Sequence, residues 1–385
     1  MKKTYAAVIL SLFLLLLLSV SCNNDGSVDE AFNCTITFDG NGATEGEMSA
    51  QTIGIGIPTE LNANTFGKTD LDFAGWTTKS DGSGTLYSDG QIASIKKNTI
   101  LYAQWGDLLS EETTAWTDSQ TYFSDRNLMI AGRITVSGNV TLLLLDGCTL
   151  TASEGISVNE GNSLTIIALG SGTGTLIAIG SNRDAGIGGN SGSNGGTVII
   201  NGGTVNVTGG GEAAGIGGGF EGVGGTITIN GGNITSTGGY YGSGIGGGSY
   251  KNGGTITINN GTVAADGGYG AAGIGGGTFG DGGIITINGG NVTASSSRSG
   301  SSAAGIGGGG NASGGTITIN GGKVVAVGGS FSSEGKKPSG IGGDYNNPTG
   351  GTLTIGGNVS LEVSSDNESW SDYDGTTRQR YMRTK

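Results

Sequence analysis

Residues 244–261 read Gly-Ile-Gly-Gly-Gly-Ser-Tyr-Lys-Asn-Gly-Gly-Thr-Ile-Thr-Ile-Asn-Asn-Gly, and this stretch decides the fold. Within residues 186–342 its opening tripeptide, Gly-Ile-Gly, occurs six times, starting at positions 186, 215, 244, 273, 305 and 340. The spacings are 29, 29, 29, 32 and 35 residues. A nearly constant period, with length changes confined to the variable stretches between strand-like runs, predicts a stacked solenoid whose extra residues form loops.

The runs between the glycines have the pattern of β-strands. The alternation Thr255-Ile256-Thr257-Ile258 has a period of two, and β-branched residues favour a pleated surface. Residues 170–357 hold 66 of the 84 glycines, but the chain has only three prolines and no three-residue glycine period, which argues against collagen. The predicted fold class is therefore all-β, a right-handed parallel β-helix of about 29 residues per coil, with a small module before it.

Stacking one unit per coil, at ~4.8 Å between strands, predicts two columns of side chains. The isoleucines of the tripeptides would form an interior column: Ile187, Ile216, Ile245, Ile274, Ile306 and Ile341. The asparagines that close the Thr-Ile runs would hydrogen-bond from coil to coil: Asn201, Asn230, Asn259, Asn288 and Asn320. Gly356 replaces Asn in the last coil, as expected of an atypical terminal unit.

The repeat pattern also sets the expected domain boundaries. We assign residues 133–363 to the β-helix, of which residues 134–179 are irregular coils that lack the tripeptide. Residues 106–132 are expected to be a linker and a solenoid cap, and residues 364–385 a C-terminal cap or tail. A cap at either end would protect open strand edges from end-to-end pairing.

The N-terminus has the features of an export signal. Lys2 and Lys3 precede an apolar run over residues 6–18, and small residues lead to Cys22. The run is too short to span a bilayer comfortably. The arrangement resembles the bacterial lipoprotein signal over residues 1–22, although Ser19 stands where that signal usually has Leu. The resemblance implies that Cys22 is lipidated, that residues 23–32 are a tether and that the protein is anchored to a membrane of the cell envelope. Ordinary secretion is the alternative.

Charge and cysteine usage narrow the partners. The chain has 31 acidic and 18 basic residues, a net charge of −13 and no histidine. This balance argues against binding to nucleic acid, and the common zinc sites have no counterpart. Cys34 and Cys148 fall in different predicted domains. Burial of both as small apolar residues and a bridge between them are both open.

Residues 33–105 have a different pattern. They open with Cys-Thr-Ile-Thr-Phe-Asp-Gly-Asn-Gly (34–42), have Phe-Ala-Gly-Trp (73–76) at the centre and close with Thr-Ile-Leu-Tyr-Ala-Gln-Trp (99–105). In this order they resemble the Listeria-Bacteroides repeat, also called the InlB B-repeat. The resemblance implies a small β-grasp-like module of bacterial surface proteins, often a spacer or an adhesion element. The aromatics are expected to form one small core: Phe38, Phe73, Trp76, Tyr102 and Trp105.

Residues 130–360 resemble a second group, the Gly-rich β-helical surface proteins described as containing a carbohydrate-binding domain. The shared units are Gly-Gly-Thr-Ile-Thr-Ile-Asn-Gly-Gly and Ala-Gly-Ile-Gly-Gly-Gly. These are packing motifs, so the resemblance implies the fold, whereas ligand binding has to be argued from the site itself.

Aromatic residues recur in the predicted loops. Four of them lie four or five residues beyond a tripeptide isoleucine: Phe220, Tyr250, Phe279 and Tyr345. Three more lie on the preceding loops: Tyr240, Tyr241 and Tyr269. Equivalent loops of a β-helix stack, so we expect a strip of ring faces that could pack against the sugar rings of an extracellular glycan or contact host matrix. The alternative is that the rings only cover the glycine-rich loops.

The loops also carry single acidic residues: Asp184, Glu212, Glu221, Asp266, Asp281 and Asp344. With backbone carbonyls they could bind Ca²⁺, but their positions do not repeat, so no cofactor is expected. Glycosidases need two carboxylates at a fixed separation, and no acidic pair recurs on adjacent coils. We therefore expect a non-catalytic surface lipoprotein that binds polysaccharide or mediates adhesion. The alternatives are a polysaccharide lyase or glycoside hydrolase, and a purely structural envelope spacer.

Overall fold

The computed structural model describes residues 32–385 except 83, 297, 332–336, 345, 347–349, 358, 365–369 and 375–379. The described residues form 36 strands and no α-helix, so the all-β prediction is confirmed. No helix in this part of the chain is long and apolar enough to cross a membrane. The signal segment and Cys22 lie outside the described residues.

The first seven strands build the N-terminal module. They are β1 (Asn33–Asp39), β2 (Gln51–Gly54), β3 (Thr59–Glu60), β4 (Asp72–Thr77), β5 (Leu86–Tyr87), β6 (Ile92–Ala93) and β7 (Thr99–Leu108). Five of them form a mixed sheet in the order β2-β1-β7-β4-β5, whose central pair, β1 and β7, is parallel. A central parallel pair flanked by antiparallel strands is the sheet expected of a β-grasp-like module, here without a helix between β2 and β4.

Trp76 is fully buried at the centre of the module. The ring centroids of Phe38 and Phe73 both lie 4.9 Å from that of Trp76. Trp105 packs edge-on against Phe73 and donates its indole N–H to the carbonyl of Gly40 at 2.9 Å. The predicted aromatic core is thus confirmed for four of its five members. The fifth, Tyr102, does not belong to this core.

Strand parity explains why Tyr102 is excluded. Strand β7 directs Leu101, Ala103 and Trp105 into the core. Because successive side chains of a strand point to opposite faces, Tyr102 lies on the outer face of the sheet. There it is only half-buried.

The next strands repeat in groups of three, one group per coil. The first three coils contain β8 (Ala115–Trp116), β9 (Thr121–Ser124), β10 (Leu128–Ile130), β11 (Ile134–Val136), β12 (Asn139–Leu144), β13 (Thr149–Ala152), β14 (Ile156–Ser157), β15 (Ser163–Ala168) and β16 (Thr175–Ile179). The next three contain β17 (Ile187–Gly188), β18 (Thr197–Ile200), β19 (Thr204–Thr208), β20 (Ile216–Gly217), β21 (Thr226–Ile229), β22 (Asn233–Thr237), β23 (Ile245–Gly246), β24 (Thr255–Ile258) and β25 (Thr262–Asp266).

The remaining strands complete the stack and the C-terminal end. They are β26 (Ile274–Gly275), β27 (Ile284–Ile287), β28 (Asn291–Ser295), β29 (Ile306–Gly307), β30 (Thr316–Ile319), β31 (Lys323–Val327), β32 (Ile341–Gly342), β33 (Thr352–Ile355), β34 (Leu361–Ser364), β35 (Ser371–Asp372) and β36 (Tyr381–Thr384). Equivalent strands of successive coils pair in parallel, which gives three long sheets. The predicted parallel β-helix is therefore confirmed.

Both predicted columns are present. The tripeptide isoleucines pair from coil to coil from Ile187 to Ile341, and every one of them is fully buried. On the outside, the amide of Asn230 donates to the side-chain oxygen of Asn201 at 2.8 Å. The same bond continues through Asn259 and Asn288 to Asn320 at 2.7–2.8 Å. This asparagine ladder stabilises the register between successive coils on the solvent-exposed side of the solenoid.

The parallel coils begin earlier than expected. Strands β8, β9 and β10 each pair with the equivalent strand of the next coil, so residues 115–130 of the expected linker and cap form a complete coil. Stacked rings of Trp116 and Tyr122, 5.3 Å apart, fill its interior. The register places Thr114 level with Ile134 and so with the tripeptide isoleucines, and for this reason the repeat pattern does not mark the coil.

The module and the solenoid share one sheet. Strand β7 pairs with β1 and β4 inside the module, and its end, Asp107 and Leu108, pairs in parallel with β9 of the first coil. A hydrophobic cluster joins side chains of the module to side chains of the first coils: Ala74, Leu86, Phe123, Leu143 and Leu169. The module therefore covers the first open edge of this sheet.

The C-terminal strand closes another sheet at the opposite end. Strand β36 pairs antiparallel with β31, and β34 pairs antiparallel with β36. The hydroxyl of Thr384 accepts from the backbone N–H of Val324 and donates to the carbonyl of Gly322. The reversal of strand direction at β36 prevents another parallel coil from adding at this edge.

The two described cysteines are free. Cys34 is buried in the core of the module, and Cys148 is half-buried in the solenoid. The alternative of a bridge is therefore not realised, and the predicted burial is complete for Cys34 but only partial for Cys148.

Candidate functional site

Two loops of each regular coil lie side by side along one edge of the solenoid. The first loop connects the third strand of a coil to the next tripeptide strand, and the second connects the tripeptide strand to the Thr-Ile strand. The backbone N–H of Thr278 in a second loop donates to the carbonyl of Tyr241 in a first loop at 3.0 Å. The hydroxyl of Thr278 donates to the carbonyl of Tyr269 at 2.6 Å. These bonds hold both kinds of loop in one surface.

Five aromatic side chains lie in these loops, and we call them the aromatic edge: Tyr240, Tyr241, Tyr250, Tyr269 and Phe279. Four of them are exposed by 39–55 %, and Tyr241 is half-buried. Soluble proteins rarely expose this much ring surface in one place, and where they do, the exposed patch often marks an interaction site.

The tyrosines of the first loops form one group. The rings of Tyr240 and Tyr269 stack with a centroid distance of 6.0 Å and an interplanar angle of 13°. Tyr241 stands edge-on to both, at 4.6 and 6.3 Å. The guanidinium of Arg298 lies 5.6 Å from the centre of the Tyr240 ring. Three rings and a cation thus form one rigid cluster on adjacent coils.

The second loops carry a separate stacked pair. The rings of Tyr250 and Phe279 lie 5.5 Å apart with an angle of 18°. Their backbones have positive φ, 67° and 63°. The equivalent positions in neighbouring coils are held by Gly192, Glu221 and Asn311, also at positive φ. Bulky residues rarely adopt this conformation, so the two rings are displayed from a strained backbone.

Phe220 does not extend this pair into the predicted strip. It comes one residue before the equivalent position, which Glu221 occupies. Its ring packs instead under the guanidinium of Arg183, 4.5 Å away, and Arg183 pairs with Glu212 at 3.0 Å. The fourth member of the predicted strip, Tyr345, lies outside the described residues.

Sequence reasoning did not identify the two arginines as ring partners. A signal for Arg298 was available, because it follows β28 by the same three residues by which Tyr269 follows β25. The 29-residue spacing therefore places Arg298 in line with the tyrosines. The signal for Arg183 is weaker, since its partner Phe220 lies 37 positions along the chain in another coil.

The loop acids have structural partners of their own. Asp184 accepts from the backbone N–H of Ser191, Asp281 from that of Ser313, and Asp344 from that of Asn311, each at 2.8 Å. Asp266 accepts from the hydroxyl of Ser295. Among the described residues, no three acidic, cysteine or histidine side chains are close enough to hold one metal ion.

The buried guanidinium of Arg133 holds together loops of the first regular coils. Arg133 donates to the side-chain oxygen of Asn190 at 2.8 Å and to the backbone carbonyls of Glu154 and Ala185. Burial lowers its pKa, whereas the nearby charges of Asp184 and Glu154 oppose that shift. The guanidinium thus ties three loops together, which is a structural role.

Comparison with known families agrees with both parts of the fold. Residues 35–104 match the Listeria-Bacteroides repeat domain. Residues 227–249, 256–278, 285–310 and 317–345 match the beta helix repeat. Both kinds of repeat are typical of extracellular or surface proteins. No curated protein and no solved structure matches the chain.

Proposed function

We propose that this protein is a non-catalytic lipoprotein of the bacterial cell envelope that binds extracellular polysaccharide through the aromatic edge. The repeat families support a surface or extracellular location. The sequence around Cys22 supports the lipid anchor, and the exposed aromatic rings support a polysaccharide ligand.

The main observation in favour of a bound ligand is that Tyr250 and Phe279, two exposed aromatic residues, both have a strained backbone with positive φ. A left-handed backbone costs an L-residue with a side chain about 1–2 kcal/mol relative to glycine. Both rings are about half exposed, so burial does not compensate for this cost. Strain of this kind, kept at exposed positions, is characteristic of binding and catalytic sites.

The arrangement of the rings defines how a sugar chain would contact them. Because the rings stack on each other, they present edges and terminal faces to solvent rather than a row of open faces. Tyrosine combines an apolar ring with a hydroxyl group, and this suits a partner that alternates apolar faces and hydroxyls. Coil spacing repeats the contact along the edge, so a polymer fits better than a single sugar.

An enzyme and a spacer remain the competing functions. Asp184, Asp281 and Asp344 each accept a hydrogen bond from the backbone of a neighbouring loop, and this structural role argues against their use as the carboxylate pair of a hydrolase. A spacer is favoured by the continuous sheet and the asparagine ladder, which stiffen the chain without requiring a ligand.

Replacing both second-loop rings tests the glycan site without strain on the fold. In Tyr250→Asn/Phe279→Asn, asparagine tolerates positive φ and is the native residue at the equivalent position 311. We expect retention of the full chain on insoluble polysaccharides to fall about tenfold or more, since ring contacts contribute roughly 0.5–1.5 kcal/mol each. A glycan array and a pull-down measure it, with and without a calcium chelator.

Ile284→Ala is the matched control, because Ile284 is 53 % exposed on a strand outside the loops. The control is expected to bind as the native chain does. Equal binding by the double variant would show that the edge is not the site. If glycan binding were lost only when calcium is chelated, the binding would be assigned to a Ca²⁺ site formed by the loop acids. If the native chain bound no glycan at all, the spacer function would be favoured.

The anchor is tested separately. In a bacterial host, Cys22→Ser is expected to move the protein from the membrane fraction and the detergent phase to the soluble fraction, because several acyl chains are lost at once. Cys148→Ser is the control, since that thiol lies in the solenoid. If the native chain and Cys22→Ser partition alike, the protein is secreted rather than anchored.

A further inference from the structure

The outer face of the module sheet forms a second candidate site. Tyr102, which the sequence predicts in the core, instead lies on this face, where its cross-strand neighbour is Thr77 of β4. It lines an open groove of about 670 Å³, and Tyr87 of β5, which packs partly against the aromatic core, lines the same groove. Tyr102 is half-buried, and because it lies on the opposite face of β7 from the aromatic core, packing in that core does not explain it.

The groove is positively charged within an acidic protein. Lys79, Lys96 and Lys97 line it, and no acidic residue does. Lys96 and Lys97 are exposed, and among the described residues neither forms an ion pair. With a net charge of −13 for the chain, three lysines around one groove are a local reversal of sign that selects for anions.

The rest of the lining is uncharged and hydroxylated. It includes Thr78, Thr85, Ser94 and Thr99, together with Asn98. The side-chain oxygen of Asn98 accepts from the backbone N–H of Thr35 at 2.9 Å, which directs its amide N–H groups away from that bond. Rings, hydroxyls and amide donors around a cationic rim match a sugar ring that carries an acid group.

We propose that this groove binds acidic polysaccharide, with Lys96 and Lys97 contacting the carboxylate groups and Tyr102 contacting a sugar ring. An acidic peptide would use the lysines but leave the rings and hydroxyls without a matching partner. The site is separate from the aromatic edge, and it gives the module a binding role rather than that of a spacer.

The test uses the full chain and polygalacturonate as the probe. Lys96→Gln/Lys97→Gln is expected to bind about tenfold more weakly, because two exposed ion pairs contribute roughly 0.2–1 kcal/mol each. Binding by the native chain is expected to weaken as salt is raised, since exposed charges are screened. Lys323→Gln/Lys337→Gln changes the charge equally at exposed positions of the solenoid and is expected to behave as the native chain does.

Two further arms separate the alternatives. Tyr250→Asn/Phe279→Asn is expected to keep its affinity for polygalacturonate, so that failure of the edge and failure of the groove are distinguishable. Polyglutamate is expected to bind more weakly than polygalacturonate. Equal binding of polyglutamate would assign the groove to acidic peptides, and an unchanged affinity of the Lys96→Gln/Lys97→Gln variant would remove the groove altogether.

Discussion

Ile245→Asp is expected to destabilise the solenoid strongly and on both sides of the substitution. Ile245 is fully buried between Ile216 and Ile274 in the interior column. The described residues place no cation in this column, so the carboxylate would have to be buried unpaired or protonated. We expect a loss of roughly 4 kcal/mol or more in the free energy of unfolding.

Chemical denaturation measures the loss, and hydrogen exchange locates it. Because each coil contacts only its neighbours, faster exchange is expected in the coils of Ile216 and Ile274 before distant ones. Ile245→Val removes one methylene in the same place and is expected to cost only about 0.5–1.5 kcal/mol. Unchanged unfolding of Ile245→Asp would contradict the stacked interior.

Gly246→Ala is expected to have the second largest effect. Gly246 has φ of 134°, and a Cβ atom built there would lie 2.1 Å from the backbone oxygen of Gly275 in the next coil. Backbone of the adjacent coil cannot rotate away as a side chain can, so the coils would have to separate. Conformational strain alone amounts to about 1–3 kcal/mol, and the clash adds to it.

Gly147→Ala is the matched control for this substitution. Gly147 also has positive φ, 71°, but a Cβ atom there would meet nothing within 4 Å. It is therefore expected to cost only about 1–2 kcal/mol. If thermal unfolding shows equal losses for the two variants, close approach of the coils does not explain the Gly-Ile-Gly motif.

Much of the fold was predictable because the repeat defines both the position of each strand and its neighbours in the stack. Alternation sets the strands, and the 29-residue period sets which residues stack. Ile245 and Asn259 were therefore placed correctly in their columns. For the candidate site, the same reasoning located the loops and the exposed aromatics. Of the three described members of the expected strip, Tyr250 and Phe279 stack on each other and Phe220 does not join them.

Errors arose where one residue decides the outcome. A shift of one position moves Phe220 out of the strip and under Arg183. A shift of one position on β7 likewise moves Tyr102 from the core to the outer groove. Composition marks both residues as apolar rings, but only the register of the neighbouring strands decides which way each one points.

The sequence by itself determined the all-β class, the coil period and the two side-chain columns, because each follows from local alternation repeated at a fixed interval. Only the tertiary structure decided how the stack begins and ends. The module joins the first coil through β7, and β36 pairs with β31 across more than fifty residues of chain. Such pairings depend on which strand edges remain open once the coils have stacked, and no periodic pattern in the chain records that.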